Sequence, residues 1–283
     1  MDLHLYRHAW GWTGSLPDLV RRARAEGYRG IETPIWNLKP DQVSALGDAL
    51  TEHGMAIIVQ IHPGGFQGGS HRTVDADVTS FIQQAEAAVA LKPVLINAHS
   101  GFDAWNRQDT LRFYRHIIGV ERLLPVPVAH ETHRGRCFGS PWAVRDLLPQ
   151  IPEIRFTADF SHWCCVAERL VDDQWEVIEE VARRTIHLHA RVGHSQGPQV
   201  PDPRHPRWAD AVTAHERWWD LVWNAQADAG HPQTSLTPEF GPFPYLPAQD
   251  DPREASALLE DIIAWQADRQ YSRFAAWRRA RSA

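Results

Sequence analysis

The sequence predicts a closed (β/α)8 barrel. Short β-branched runs alternate with longer segments of helical periodicity, eight such units fit the chain, and no glycine-rich phosphate loop follows the first run. The 283 residues suit one domain spanning 1–283, because barrels of about 250 residues are routinely single. A doubly wound open sheet is the structural alternative, disfavoured because such sheets carry their phosphate loop after the first strand.

The expected strands, in order, are 3–7 (LHLYR), 30–33 (GIET), 56–61 (AIIVQI), 94–99 (VLINAH), 126–131 (VPVAHE), 154–159 (IRFTAD), 186–191 (IHLHAR) and 236–239 (LTPE). Helical patterning fills 16–26, 42–53, 74–91, 110–124, 141–148, 175–184 and 208–229, and a last helix is expected over 253–279. The Pro/Gly-rich stretches 62–69, 193–206 and 240–247 each follow a strand, so they read as βα loops and not as domain linkers. The second of these holds four prolines and two glycines in 14 residues. It is expected to be a restrained lid over the seventh strand end.

Composition narrows the function classes. An apolar share of 43% suits a protein with a full core, and no 18-residue apolar run offers a membrane span. The N-terminal MDLHLYRHAW lacks the basic and apolar regions of a signal peptide. Three cysteines, with Cys164 and Cys165 adjacent, make no disulfide framework and point to a reducing, cytoplasmic setting. A net charge of −6 argues against a nucleic-acid partner. The 13 tryptophans are mostly expected in packing, whereas the 16 histidines recur at strand ends.

Alternation along the strands assigns faces. Over 185–191, Ile186, Leu188 and Ala190 are expected toward the helices, with His187, His189 and Arg191 toward the axis. The same count turns Thr157, Asp159, Asn97, His99, Gln60, His62 and Glu131 inward, while His130 points out as a structural residue. His116, His215 and His231 are expected at the surface of helices. Polar groups thus converge at the C-terminal strand ends, where barrel enzymes place their chemistry. Each alone reads as a hydrogen-bonded core residue. Together, Glu131, Asp159, His189 and Glu239 would repel and lose hydration at a cost of several kcal/mol per ion unless a cation joins them. Three carboxylates and an imidazole suit one divalent ion, Mn²⁺, Mg²⁺ or Co²⁺, with Zn²⁺ also accommodated.

Glu131 in HETHRGR, Asp159 and His162 in TADFSHW, His189 in HLHARVG and Glu239 in TPEFGP resemble the xylose-isomerase-like barrel superfamily along essentially the whole chain. Its members include sugar isomerases, ketose 3-epimerases, inosose dehydratases and endonuclease IV. The resemblance implies that Glu131, Asp159, His189 and Glu239 hold one metal, and that Glu131 and Glu239 also serve as the catalytic acid/base pair. It implies that His162 contacts substrate oxygens. Arg191 follows His189 by two positions, closer than the distal arginine of typical epimerases, so it either binds substrate or packs on its loop. The implied reaction is proton transfer through an enediolate of a keto-sugar or polyol. Returning the proton to the neighbouring carbon isomerises, returning it to the opposite face epimerises, and loss of a β-hydroxyl makes a lyase. His187, one pleat deeper than His189, should support the site without ligating.

His62 and His99 are expected to meet substrate hydroxyls. With the Asp202 and His205 run they also leave open a trinuclear-zinc phosphodiesterase like endonuclease IV, although the Asp202/His205 spacing departs from that family's. A non-enzymatic sugar sensor is a further alternative. Trp10, Trp12, Trp36, Phe66 and Trp163 lie near strand ends, where an indole can stack on a sugar's CH face; Trp12 and Trp163 are the favoured substrate contacts. No nucleotide cofactor is implied. A homo-oligomer is expected by analogy only.

Overall fold

Eight parallel strands close on themselves in chain order in the computed structural model, which describes residues 1–65, 72–247 and 251–282. They are β1 (Asp2–His8), β2 (Gly30–Pro34), β3 (Ala56–Ile61), β4 (Leu95–Ala98), β5 (Val128–Glu131), β6 (Phe156–Ala158), β7 (Thr185–His189) and β8 (Gln233–Thr237). Closure is made by β8 on β1, with Asp2 opposite Gln233 and Leu5 opposite Leu236. That ring removes the open-sheet alternative. The outer layer comprises α1 (Leu16–Ala25), α2 (Pro40–His53), α3 (Val74–Val89), α4 (Arg107–Glu121), α5 (Pro141–Leu147), α6 (Ser161–Ala167), α7 (Trp175–Ala182), α8 (Ala209–Asp228) and α9 (Pro252–Ser282).

Local chemistry sets the helix starts. Ser15, Thr73, Asn106 and Ser140 each accept a backbone N–H three residues on, capping α1, α3, α4 and α5. Each such cap is worth about 1 kcal/mol. Apolar helix faces then meet the outward strand residues, so Phe81, Phe113, Tyr114, Phe156, Trp218, Trp219 and Trp223 are wholly buried. No helix among the described residues is long and apolar enough to cross a membrane.

Several boundaries depart from the sequence reading. Strand β8 starts at Gln233, earlier than expected, because polar Gln233, Thr234 and Ser235 pair with β1. Glu239 therefore lies beyond the strand. Strand β6 covers only Phe156–Ala158, leaving Asp159 just past its end. Helix α6 was not expected, since seven residues with several buried side chains show no amphipathic stripe. A register shift between Phe156 and Thr157 where β6 meets β7 turns Ile186 inward, against the cluster of Tyr6, Ile58, Leu95 and Ala129. That apolar cluster floors the barrel beneath the polar strand ends.

His215 is buried, not at the surface as expected. Its Nδ1 donates to the Ala211 carbonyl at 2.8 Å, so its Nε2 is free to accept the Gly193 N–H at 3.2 Å. Gly193 is needed there because a Cβ would come within 2.5 Å of the Ser161 carbonyl oxygen. Burial pushes the His215 imidazole down to about 4, against a partial lift from Ala211. The unfolded chain, with a histidine value near 6.5, binds that proton more readily. His215 therefore adds stability that is complete above pH 6.5 and declines as pH falls toward 4. His215→Gln, which keeps a donor and an acceptor but does not titrate, should lose less stability between pH 7 and pH 5, by roughly 1–2 kcal/mol. Urea melts at the two pH values measure this; equal losses in both proteins would rule out the assignment.

Candidate active site

The axis of the barrel carries polar side chains in two tiers. In the deeper tier, Glu32 of β2 is fully buried and receives Gln60 Nε2 at 3.1 Å, Asn97 Nδ2 at 3.2 Å and Thr237 Oγ1 at 2.5 Å. His187 Nε2 lies 3.2 Å and His189 Nε2 3.0 Å from its two oxygens. His187 Nδ1 meets Ser235 Oγ at 2.8 Å, and single donor atoms of Glu32, His187 and His189 lie within 4.8 Å of one another.

Above it, single donor atoms of Glu131, Asp159, His189 and Glu239 all lie within 4.8 Å of one another, and all four residues are buried. Each comes from the end of a different strand, β5 to β8. His189 Nδ1 faces Glu239 Oε2 at 2.7 Å and Glu131 Oε2 at 3.5 Å. Arg191 spans two members of the set, with Nε 3.1 Å from Asp159 Oδ2 and Nη2 2.5 Å from Glu239 Oε2. Its third nitrogen, Nη1, has no hydrogen-bond partner among the described residues, and its guanidinium lies against the edge-on pair of Trp10 and Tyr245, 5.3 and 5.0 Å from the ring centroids. Asp159 is further fixed by the backbone N–H and hydroxyl of Ser161.

Burial would raise every carboxylate here, and the neighbours decide the outcome. For Glu239, burial is outweighed by Arg191 and His189, which bring it down to about 2. For Glu131, His99 and His189 overcome burial and hold it well below the usual range. Asp159 stays raised to about 6, because burial and the charges of Glu239 and Glu131 exceed the pull of Arg191. Burial would lower His189, yet Glu239, Glu32 and Glu131 raise it well above its ordinary value.

The donor set suits a divalent cation. Among the described residues Glu131 Oε1 is a buried carboxylate oxygen with no hydrogen-bond partner, a costly state that an ion at the four-donor cluster would relieve. Neither ring nitrogen of His162, on α6, has a hydrogen bond among the described residues, and its Nε2 lies 3.6 Å from Asp159 Oδ2 and 4.0 Å from Glu131 Oε1.

A cavity of ≈ 390 Å³ opens over the cluster, with Glu239 and Arg191 in its wall. Its lining includes His62, His99 and His133 together with Trp10, Trp12, Leu16, Trp36, Leu38 and Tyr245, and Trp36 meets the His62 ring edge-on at 6.2 Å. The rings of His62 and His99 are 4.1 Å apart, those of His99 and His133 5.0 Å, and those of His133 and His162 3.9 Å. His99 Nε2 is also 2.8 Å from Glu131 Oε2, so the histidine row touches the cluster.

Trp163, expected to meet substrate, does not line the cavity. It is wholly buried in the core, its indole N–H donating to the Phe138 carbonyl at 2.9 Å. Helix α6 turns it away from the axis while presenting His162 toward the cluster. Trp12 does line the cavity, with its Nε1 donating to the Ser15 carbonyl. Phe66 lies outside the described residues. Glu32 and His133 were missed. His133 repeats the inward phase of Glu131 two residues on, and that spacing alone would have flagged it.

The loop over 193–206 does not roof the cavity as expected, for none of its residues lines it. It folds back on itself, with Val200 N–H bonding the Val192 carbonyl and a bridge between His194 and Gly197. Gln199 clasps Gly241 through both amide atoms, at 2.7 and 3.1 Å. Asp202 is tied to Arg204, and His205 accepts from Arg207 N–H at 3.2 Å; neither joins the candidate ligand clusters among the described residues.

A family described as xylose isomerase-like TIM barrel matches residues 20–205. No curated protein is significantly similar in sequence. Among solved structures, D-allulose 3-epimerase from Methylomonas sp. is 12% identical over 96% of this chain and 97% of its own, with a TM-score of 0.62. A probable 3-DHS dehydratase from Bacillus anthracis is 14% identical over 94% and 97%, with a TM-score of 0.61. Endonuclease IV from Thermus thermophilus is 15% identical over 95% and 100%, with a TM-score of 0.58. At these identities the likeness is one of fold.

Proposed function

The chain belongs to the xylose isomerase-like TIM-barrel family, and on that footing we propose that it is a metal-dependent sugar isomerase or epimerase acting on a keto-sugar or related polyol. The observation that carries this reading is the buried four-donor cluster of Glu131, Asp159, His189 and Glu239, whose member Glu239 lines a cavity with three histidines. A divalent ion held there supplies Lewis-acid polarisation of the substrate carbonyl.

The residues do the rest. Glu131 and Glu239 are both held ionised, so either can take the proton from the carbon beside the carbonyl, leaving an enediolate. Return of that proton by the same carboxylate to the neighbouring carbon gives the isomer; epimerisation requires the other carboxylate to take a proton from solvent and deliver it to the opposite face, the first releasing its proton to solvent. Arg191 offers its unpartnered Nη1 to substrate oxygens, and the Trp10 and Tyr245 rings hold it in place. His62, His99 and His133 present a row of imidazoles to hydroxyls, while the Trp12 and Trp36 rings in the same cavity suit a CH face. A lyase acting on a keto-inositol or keto-glycoside would use the same proton abstraction.

The second reading is a phosphodiesterase with more than one metal. It draws on His99, Glu131 and His133, whose donor atoms also lie within 4.8 Å of one another. Against it stand the net charge of −6 and the engagement of Asp202 and His205 elsewhere.

One experiment separates these readings. Purified protein should bind about one divalent ion per chain, and with Mn²⁺ or Co²⁺ in D₂O it should incorporate deuterium beside the carbonyl of a ketose, keto-inositol or keto-glycoside. Two or more tightly held ions together with nicking of abasic DNA would favour the phosphodiesterase. No exchange on any ketone in a metal-loaded protein would remove the proposal. Asp159→Asn and His189→Ala should each weaken ion binding by about 10-fold or more, since each removes a charged or lone-pair donor. Wild-type affinity in both variants would break the cluster's assignment.

A further inference from the structure

Glu32 sits outside the four-donor cluster, yet it is the residue on which the cluster's only imidazole leans. A neutral imidazole has one N–H and one lone pair, and the hydrogen bond at one nitrogen decides which nitrogen can ligate. His189 Nε2 lies 3.0 Å from Glu32 Oε1, and a carboxylate oxygen surrounded by other donors accepts here. Asn97 Nδ2 is also 3.4 Å from this nitrogen, but its hydrogens have better acceptors in Glu131 Oε2 at 2.8 Å and Glu32 Oε1 at 3.2 Å. The proton on Nε2 is therefore fixed. The opposite nitrogen, Nδ1, is the one that faces Glu131 and Glu239.

Resting on the four-donor reading, we infer that Glu32 is a positioning residue that sets His189 as an Nδ1 ligand, by taking its Nε2 proton from the deeper tier. The carboxylate itself is held on every side. Its Oε1 receives Gln60, Asn97 and His189, and its Oε2 receives the Thr237 hydroxyl and His187. Those donors come from β3, β4, β7 and β8, so the orientation of one imidazole is fixed by half the barrel. Asn97 also joins the tiers directly, because one amide nitrogen donates to both Glu32 and Glu131. A carboxamide at this position cannot reproduce the arrangement. Glutamine keeps the shape but exchanges one acceptor oxygen for an NH₂ that confronts existing donors.

The test uses Zn²⁺ alone, measured by competition with a chromophoric chelator, on wild type, Glu32→Gln and Asp159→Asn. Glu32→Gln should bind Zn²⁺ about 10- to 100-fold more weakly than wild type. Its metal-free thermal unfolding should remain cooperative. Independently of any variant, the ring ¹⁵N spectrum of Zn²⁺-loaded wild type should show His189 protonated at Nε2 and bound through Nδ1. Binding through Nε2 overturns the inference, whether or not Glu32→Gln folds. If Asp159→Asn loses Zn²⁺ while Glu32→Gln holds it within twofold of wild type, the Glu32 inference falls and the four-donor reading stands. If wild type holds no Zn²⁺, both fall together.

Discussion

Glu239→Gln and Glu131→Gln should each lower deuterium exchange into a ketone substrate by about 10²–10⁴-fold, the range that a positioned general acid or base contributes. The basis is positional as well as electrostatic. Glu239 lies in the cavity wall, and Glu131 lies under His99 with one oxygen lacking any hydrogen bond. Both carboxylates are ionised at neutral pH, the state a base requires. Glutamine is nearly isosteric but can neither take nor return a proton. His187→Ala is the matched control, because His187 belongs to the deeper tier and touches Glu32 and Ser235. It should leave exchange measurable. Exchange by NMR in D₂O, with metal occupancy determined on the same samples, separates lost chemistry from lost ion. Robust exchange in either glutamate variant at full occupancy would exclude the acid/base pair.

Trp163→Ala should destabilise the protein by about 3–5 kcal/mol, the usual cost of emptying a buried aromatic site. The indole is wholly buried, packs edge-on against Phe160 at a ring distance of 5.3 Å, and donates to the Phe138 carbonyl. Removal leaves both a void and an unsatisfied carbonyl. The cavity residue Trp12 should behave in the opposite way. Trp12→Ala should alter KM for a sugar several-fold, while costing far less stability because Trp12 is only partly buried. Urea unfolding together with steady-state kinetics on both variants distinguishes them. A Trp163→Ala protein with wild-type stability and a raised KM would return that residue to the substrate site.

The barrel and the upper tier were legible because each rests on a local rule. Alternation along a strand assigns a face, and the C-terminal end of a barrel strand assigns a height; Glu131, Asp159, His189 and Glu239 satisfy both. Glu32 satisfies the first but sits in the middle of its strand, so attention to strand ends passed over it. Ile186 obeys the alternation rule in sequence and breaks it in space, since a register shift depends on the neighbouring strand and leaves no local mark. Trp163 and His215 failed for a shared reason. Both lie on helices whose inward faces depend on what packs against them, and neither helix shows a polar stripe clear enough to say so. The 193–206 loop was misjudged because proline content reports stiffness and not direction. Gln199 supplies the direction through a contact with Gly241 distant in sequence, while Val200 turns the loop back onto Val192.

The clasp between Gln199 and Gly241 makes the seventh and eighth βα loops inherit each other's changes. Gly241 lies two residues beyond Glu239, and a side chain there would strike the Trp10 ring within 2.0 Å, so this segment has little slack. Grafting a new loop at 193–206, though none of its residues lines the cavity, would shift the backbone that carries Glu239. Libraries that vary the two loops independently should therefore yield few active members, and those that draw both loops from one parent should yield more. For this protein, a change of specificity on that side is a change of two loops at once.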